Sequence, residues 1–278
     1  MAFRYDPSRK ALLTPARDAT FFPAGRPGSE AALAAEFARL VYAPFERDDG
    51  ARRALLATLE RTGFPEVTFF SSASTQALLA RDPAAETAVL AFRGTEVDVR
   101  DWATDLDTVM IPWSEGGRVH RGFAAALELL WPALSPALAA LPGRLLYTGH
   151  SLGAALATLA STRRRPAALY TFGSPRVGDI AFGETLAGLA HRRFVHCCDI
   201  VTRVPPEMLD FRHVGELVYV GRDGRPLPLP ADDAMATDQA LARRDYAWRW
   251  AWRPGTMWTR DAADHAPINY VGPLMENP

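Results

Sequence analysis

The sequence has few cysteines and no long apolar run. Its two cysteines, Cys197 and Cys198, are adjacent among 278 residues. Because neighbouring cysteines rarely bridge each other, we expect no disulfide framework and interpret both as buried small hydrophobes. No stretch of about 18 consecutive apolar residues occurs, so we expect no transmembrane segment. The first ten residues lack the apolar core of a signal peptide. These absences favour the cytoplasm, but a removed leader or leaderless export would look the same.

Charge of one sign is also missing. The chain carries 31 Lys and Arg against 32 Asp and Glu, a net charge of -1, and has no basic stripe with interleaved aromatics. This balance argues against a nucleic-acid partner. No metal-ligand spacing or glycine-rich phosphate loop occurs, so we expect neither a metal nor an organic cofactor. Apolar residues make up 48% of the chain, which is typical of a globular protein with a sizeable core.

The order of predicted elements indicates the fold class. Predicted strands occupy residues 66–71, 75–80, 87–92, 107–111, 144–148, 167–172 and 191–198, and predicted helices occupy residues 29–40, 49–62, 179–189 and the stretches after Gly122 and Ser151. Strands that alternate with helices predict a mostly parallel central sheet flanked by helices, in one α/β domain over residues 1–278. Residues 1–28 look irregular. Pro132 and Pro136 predict a kink or a break in their helix, and Asp223-Gly224 predicts a hairpin.

Residues Gly149 to Gly153 read Gly-His-Ser-Leu-Gly and lie between an apolar strand-like run and a run of helix formers. In that context the G-x-S-x-G pattern is typical of a nucleophile elbow, a strained turn whose flanking glycines leave no room for a Cβ. Ser151 would then be presented at the end of the strand and the start of a helix, whose N–H groups favour developing negative charge. The alternative is an ordinary strand-to-helix turn.

A serine nucleophile needs a base, and the base needs an orienting carboxylate. In this fold the acid and then the histidine follow the serine along the chain. Asp199 ends an apolar strand-like run and is our predicted acid. His265, on a late loop, is the predicted base, whereas we interpret His213 as structural. Leu152 would supply one oxyanion N–H and Thr95, after the strand of residues 87–92, the second.

Seven sequence blocks in this order resemble the class 3 lipase family, a group of fungal triacylglycerol lipases, plant phospholipases and bacterial relatives. The blocks are Phe92-Arg93-Gly94-Thr95, Asp101 to Leu106, Val119 to Phe123, Gly149 to Gly153, Thr171 to Gly178, Asp199 and Asp264-His265. The resemblance covers about residues 66–270 and implies an α/β-hydrolase fold. It implies the roles given above for Ser151, His265, Asp199, Thr95 and Leu152. We expect a bacterial-type member of the family, in which His120 and Phe123 are structural.

The resemblance also implies hydrolysis of carboxylic esters of lipids, with a lipid or small ester as substrate and transient contact with a lipid interface. Phospholipase A1 and feruloyl-type esterase activity stay open as alternatives, as does a lipase-like binding protein without turnover. The family has a lid after the oxyanion turn. Here that stretch begins Glu96-Val97-Asp98 and is short and charged. A lid that adsorbs to oil usually presents an apolar face, so this composition favours an open or small-lid esterase.

Residues 232–258 form a predicted tryptophan-rich insertion before the catalytic histidine. Trp248, Trp250, Trp252 and Trp258 lie in it. The first three are spaced by two residues, so they do not share one helical face. One interpretation is an extra helix or loop packed on the domain, and the other is an aromatic flap over the acyl pocket that contacts lipid.

Overall fold

The computed structural model describes residues 5–17, 20–22, 28–95 and 108–276. Its main feature is a sheet of eight strands. In chain order the strands are β1 (Glu66–Ser72), β2 (Thr75–Asp82), β3 (Thr87–Phe92), β4 (Met110–Pro112), β5 (Arg118–His120), β6 (Arg144–His150), β7 (Ala168–Phe172), β8 (His191–His196), β9 (Glu216–Val220) and β10 (Pro226–Pro228). Strands β4 and β5 pair separately, as a two-stranded ribbon.

The large sheet has the order β1-β2-β3-β6-β7-β8-β9-β10. Strands β3, β6, β7, β8 and β9 run parallel, and antiparallel strands complete both edges. In the register, Phe92 lies opposite Gly149 and His150 lies opposite Phe172. The carboxyl ends of β3, β6 and β7 therefore meet at one edge of the sheet. Ligands of open α/β sheets bind at this edge.

Helices cover both faces of the sheet. They are α1 (Arg9–Leu13), α2 (Glu30–Leu40), α3 (Asp49–Arg61), α4 (Arg121–Ala139), α5 (Leu152–Arg163), α6 (Ile180–Thr185), α7 (Asp232–Arg249), α8 (Arg260–Ala263) and α9 (Ile268–Glu276). Helices α2 and α9 pack in one apolar cluster with one face of the sheet, and α4 and α5 pack in a second cluster on the opposite face. This architecture confirms the predicted α/β-hydrolase arrangement of a mostly parallel sheet between helices.

Helix α2 begins where the sequence predicts. The Ser29 hydroxyl accepts a hydrogen bond from the Ala32 N–H at 3.1 Å, which satisfies one of the N–H groups that have no partner inside the helix. Of its eleven residues, nine are buried, including Phe37 and the ion pair of Glu36 with Arg39. Buried charges persist only when they are paired. The helix thus covers the centre of the sheet on the face opposite α5.

Of the kink or break predicted at Pro132 and Pro136, the break is wrong, because α4 continues through both prolines to Ala139. A proline ring removes one backbone N–H and leaves the carbonyl four residues earlier without its partner. Both prolines and Glu128 lie on the exposed side of α4, where water can satisfy such carbonyls. The buried side of the helix, which includes Leu134, packs in the core. By length and composition alone α4 could cross a membrane, but a third of it is buried, and that face packs against the sheet.

Other boundaries differ more modestly. The segment expected to be irregular contains α1 and a 3-10 turn at Pro15–Arg17. The helix predicted at residues 179–189 ends at Thr185, and Asp179 caps its first turn by accepting from the Phe182 N–H. The strand predicted at residues 107–111 is observed as β4, and its first residue lies outside the described residues. The block Asp101 to Leu106 and the expected lid also lie outside them.

Candidate active site

Ser151 lies in the turn between β6 and α5. Its backbone has φ 59° and ψ -128°, a conformation that costs free energy for a residue with a Cβ. A Cβ at Gly149 would come within 2.2 Å of the Gly153 carbonyl oxygen, and one at Gly153 within 2.1 Å of the Phe92 carbonyl oxygen. Both flanking glycines are therefore required by close backbone contacts, as the G-x-S-x-G pattern indicates.

Asp199 and His265 form a buried pair, although 66 residues separate them in the chain. His265 Nδ1 lies 2.9 Å from Asp199 Oδ2 and 3.0 Å from Oδ1. Asp199 follows β8, and His265 follows α8. The exposed fractions of the two residues are 1% and 2%. A hydrogen bond from Nδ1 to the carboxylate leaves Nε2 as the ring nitrogen that can accept a proton.

Strand β7 and the residue after it lie between Ser151 and this pair. Its N–H donates to the Phe172 carbonyl at 3.0 Å. A Cβ at the following residue, Gly173, would lie 2.7 Å from Asp199 Oδ2 and 3.0 Å from His265 Nδ1. Within the described residues, no hydrogen bond of 3.5 Å or less joins Ser151 Oγ to His265 Nε2. Such bonds are often long without substrate and shorten when it binds.

The two predicted oxyanion donors follow the ends of adjacent strands. Leu152 is the first residue of α5, and Thr95 comes three residues after the end of β3. The turn before Thr95 packs tightly on β6, since a Cβ at Gly94 would lie 2.6 Å from the His150 carbonyl oxygen. Arg93 holds this turn by donating to the Val41 carbonyl at 2.8 Å, and it also binds the Glu46 carboxylate.

Tyr270, which the sequence did not indicate, holds the Asp199 carboxylate in place. The Tyr270 hydroxyl donates to Asp199 Oδ2 at 2.5 Å and accepts from the His196 N–H at 3.0 Å. Its pKa is raised well above the usual value by burial and by the Asp199 charge, so it stays a donor. The Val201 N–H donates to the other carboxylate oxygen at 2.9 Å. The only sequence signal for Tyr270 is its place on the short helical stretch after His265.

The second missed residue is His150, which precedes the serine. Its Nε2 lies 2.7 Å from the His265 carbonyl oxygen, and the Tyr42 hydroxyl lies 2.9 Å from its Nδ1. The two histidine rings are 4.4 Å apart between centroids. Burial, and then the charge of His265, hold the pKa of His150 well below its usual value. A neutral His150 places no competing positive charge beside His265.

Three other polar residues, His120, His213 and Asp264, take structural positions. His120 Nδ1 accepts from the Phe123 N–H at 3.2 Å and so caps α4. His213 Nε2 lies 2.7 Å from the Thr202 carbonyl oxygen. Asp264 directly precedes His265, but its buried side chain points into the interior and does not cap the turn. There it accepts from the Cys198 N–H at 2.9 Å and from Arg260.

One group of side chains in the described part of the chain has the ligand spacing of a metal site. The thiols of Cys197 and Cys198 and the carboxylate of Asp264 lie within 4.8 Å of one another, and all three residues are buried. The Arg260 guanidinium lies 3.1 Å from the same carboxylate. A cation placed there would be repelled by this buried positive charge, so the group does not suit a metal ion.

The sheet order, the strained serine turn and the Asp–His pair show that this chain has an α/β-hydrolase fold. Residues 89–209 match the family model described as Lipase (class 3). A lipase from Rhizomucor miehei is 34% identical over 52% of this chain and 45% of its own length. A secreted mono- and diacylglycerol lipase from Fusarium solani is 37% identical over 54% and 48%. These matches support the resemblance of this chain to the class 3 lipase family.

Solved structures agree on the fold. Lipase II from Rhizopus niveus superposes with a TM-score of 0.53 and 26% identity, over 68% of this chain and 77% of that one. In sequence, the chain spans about half the length of the curated relatives named above. The match of the family model covers the oxyanion turn, the serine and the acid, but it ends before His265.

Proposed function

We propose that the chain is a serine hydrolase that cleaves carboxylic esters of lipids through an acyl-enzyme. The single observation that carries the proposal is the buried Asp199–His265 pair beside the strained Ser151 turn. The similarity to fungal lipases supports a lipid ester as the substrate class. The bacterial-type assignment and the cytoplasmic location stay predictions, and so does the one-domain organisation.

In the first stage, Ser151 Oγ attacks the ester carbonyl carbon while His265 Nε2 removes the hydroxyl proton. This transfer needs the two atoms within hydrogen-bond reach, and catalytic hydrogen bonds of this kind often tighten only when substrate binds. Asp199 accepts the Nδ1 hydrogen bond and stabilises the imidazolium. The N–H groups of Leu152 and Thr95 hold the oxyanion, and removing one such donor typically costs about 3 to 4 kcal/mol.

In the second stage, the protonated His265 gives its proton to the leaving alcohol, which departs. Water then attacks the acyl-Ser151 carbonyl, with His265 again acting as base. The same two N–H groups stabilise the second oxyanion. Collapse of that intermediate returns the proton to Ser151 and releases the acid. Every step uses side chains and backbone groups of this chain.

Covalent labelling tests the proposal most directly. A fluorophosphonate should label the wild-type protein at Ser151, and the Ser151→Ala variant should stay unlabelled. Ser174→Ala is the matched control, because Ser174 is also buried and its hydroxyl donates to the Pro175 carbonyl. This variant should label like the wild type. A folded wild-type protein without labelling would instead support a lipase-like binding protein without turnover.

Substrate class needs a separate measurement. Hydrolysis of acetate, butyrate, octanoate and palmitate esters of one chromogenic alcohol would give the acyl preference. A phospholipid labelled at its first acyl position and a feruloyl ester would separate phospholipase A1 and feruloyl-type esterase from glyceride hydrolysis. Activity on glycerides above that on the other two classes is the expected result.

A further inference from the structure

The segment Tyr246–Trp258, here the tryptophan segment, has an unusual composition. It holds four of the seven tryptophans of the chain, together with Arg249 and Arg253, and contains neither Asp nor Glu. The whole chain has a net charge of -1. Aromatic and cationic residues are therefore concentrated in one stretch that holds no acidic residue itself, although Asp245 precedes it and Asp261 follows it.

Three of these tryptophans face solvent. Trp248, Trp252 and Trp258 have exposed fractions of 79%, 70% and 71%. A fully buried Trp hides about 150–250 Å², so the three together present on the order of 400 Å² of surface. Large apolar side chains exposed in such number within one short segment often mark a contact surface.

The exposure does not arise from a frayed end. The Trp252 indole N–H donates to the Trp248 carbonyl at 2.9 Å. The Thr256 hydroxyl donates to the Trp250 carbonyl at 2.8 Å, and the Tyr246 hydroxyl donates to the Met257 carbonyl at 2.6 Å. The loop after α7 is thus folded back on the last turn of that helix, which keeps the tryptophans in one region.

The two arginines of the segment have no acidic partner in the part of the chain that the structure describes. Among the described residues, neither Arg249 nor Arg253 lies within 4.0 Å of a carboxylate. Both are exposed, and the Arg253 guanidinium lies over the rings of Trp250 and Trp252 at 4.5 and 5.3 Å from their centroids. Solvent-facing indoles beside unpaired guanidinium groups are the combination found where proteins contact anionic membrane surfaces.

We propose that the tryptophan segment docks the protein on an anionic phospholipid surface. Indole rings are favoured at the boundary between head groups and acyl chains, and arginines beside them attract the lipid charge. The segment ends seven residues before His265, and Thr259, α8 and Asp264 lie between them. This inference rests on the proposed function for its meaning, but its test does not require turnover.

The test is sedimentation with vesicles, using the Ser151→Ala protein so that no lipid is hydrolysed. This protein should bind vesicles of mixed phosphatidylcholine and phosphatidylglycerol more tightly than vesicles of phosphatidylcholine alone. The added changes Trp248→Ser and Trp258→Ser should weaken binding to the mixed vesicles at least about tenfold. Trp252 is kept, because its indole contributes to the fold of the loop. The changes Arg249→Gln and Arg253→Gln should remove the preference for anionic vesicles.

The control pair is Ile180→Ser with Leu229→Ser, which removes exposed apolar side chains outside the segment, with exposed fractions of 62% and 69%. It should bind vesicles like its parent. Absence of vesicle binding, or equal weakening by the control pair, would overturn the proposal. Tighter binding to single-stranded oligonucleotides than to mixed vesicles would also overturn it, in favour of a nucleic-acid partner.

The tryptophan and arginine variants should keep wild-type hydrolysis of a soluble butyrate ester when Ser151 is present. Loss of this activity would mean that the changes damage the fold or the site, and the docking proposal would fail. If Ser151→Ala hydrolyses the soluble ester as fast as the wild type, the proposed function fails, while the vesicle result still decides the docking surface.

Discussion

Replacing Gly173 with alanine should disable the candidate active site while leaving the fold intact. Gly173 has φ +56°, and the new Cβ would lie 2.7 Å from Asp199 Oδ2 and 3.0 Å from His265 Nδ1. The methyl group would thus press on both atoms of the Asp–His hydrogen bond. To reach ordinary contact distances, the carboxylate and the imidazole must separate from the methyl by several tenths of an ångström.

Two separable effects follow. The left-handed backbone conformation costs alanine roughly 1–2 kcal/mol relative to glycine. Displacement of the Asp199–His265 pair is a second effect, and a misplacement of about 1 Å can cost about a hundredfold in rate. Because the shift here is several tenths of an ångström, we expect Gly173→Ala to lower kcat on a soluble butyrate ester by up to about a hundredfold, with a loss of unfolding free energy of only a few kcal/mol.

Gly188→Ala is the matched control. Gly188 also has a positive φ, +71°, but a Cβ there would approach nothing closer than Arg165 Nη2 at 3.8 Å. It should lose a similar free energy from backbone strain and keep wild-type kcat. The measurements are initial rates on the soluble ester and urea denaturation of both variants. Wild-type kcat in Gly173→Ala would refute the assignment of the Asp–His pair to catalysis.

Three further changes probe the surroundings of the site. Tyr270→Phe removes the hydrogen bond to Asp199, so urea denaturation should show a loss of about 1–3 kcal/mol and kcat should fall; unchanged values would make that contact dispensable. Burial lowers the pKa of His191 from 6.5 to about 3. Between pH 6.5 and about 3 the unfolded chain therefore binds a proton that the folded protein does not, and the free energy of unfolding decreases as the pH is lowered. His191→Gln should reduce this slope by up to about 1.4 kcal/mol per pH unit, and an unchanged slope from urea denaturation would contradict this. Arg93→Lys cannot reproduce the forked contacts with Val41 and Glu46, so kcat should fall by up to about a hundredfold as the oxyanion turn loosens, whereas Glu46→Gln should have a smaller effect.

The sequence predicted best what depends on local chemistry. The serine turn could be recognised because its strand, glycines and helix are contiguous, and the observed contacts of Gly149 and Gly153 show why no other residue fits. The order of strands and helices was sufficient for the fold class. Of the predicted kink or break in α4, the break is wrong, because the sequence alone does not show that Pro132 and Pro136 lie on the exposed side of the helix. Prolines on the solvent side of a helix cost less than the sequence rule assumes.

The supporting contacts of the site were not predictable, because they join residues far apart in the chain. Tyr270 and Asp199 are separated by 71 positions, and Tyr42 and His150 by 108. Each is an ordinary polar residue in its local sequence. The packing of α2 and α9 on the sheet brings these hydroxyl groups to the carboxylate and the imidazole. A single sequence carries no signal for such pairs beyond the motif that positions one partner.

The position of His265 shows how the fold restrains a residue on a late loop. Its imidazole binds Asp199, its carbonyl binds His150, and the neighbouring Asp264 is fixed in the opposite direction by Arg260. Adjacent side chains diverge, so the buried charge of Asp264 cannot serve the imidazole directly. Instead, its contacts with Arg260 and the Cys198 N–H fix the backbone directly before His265. The loop is therefore held on both sides of the ring, by Asp199 and His150 at His265 and by Arg260 at Asp264.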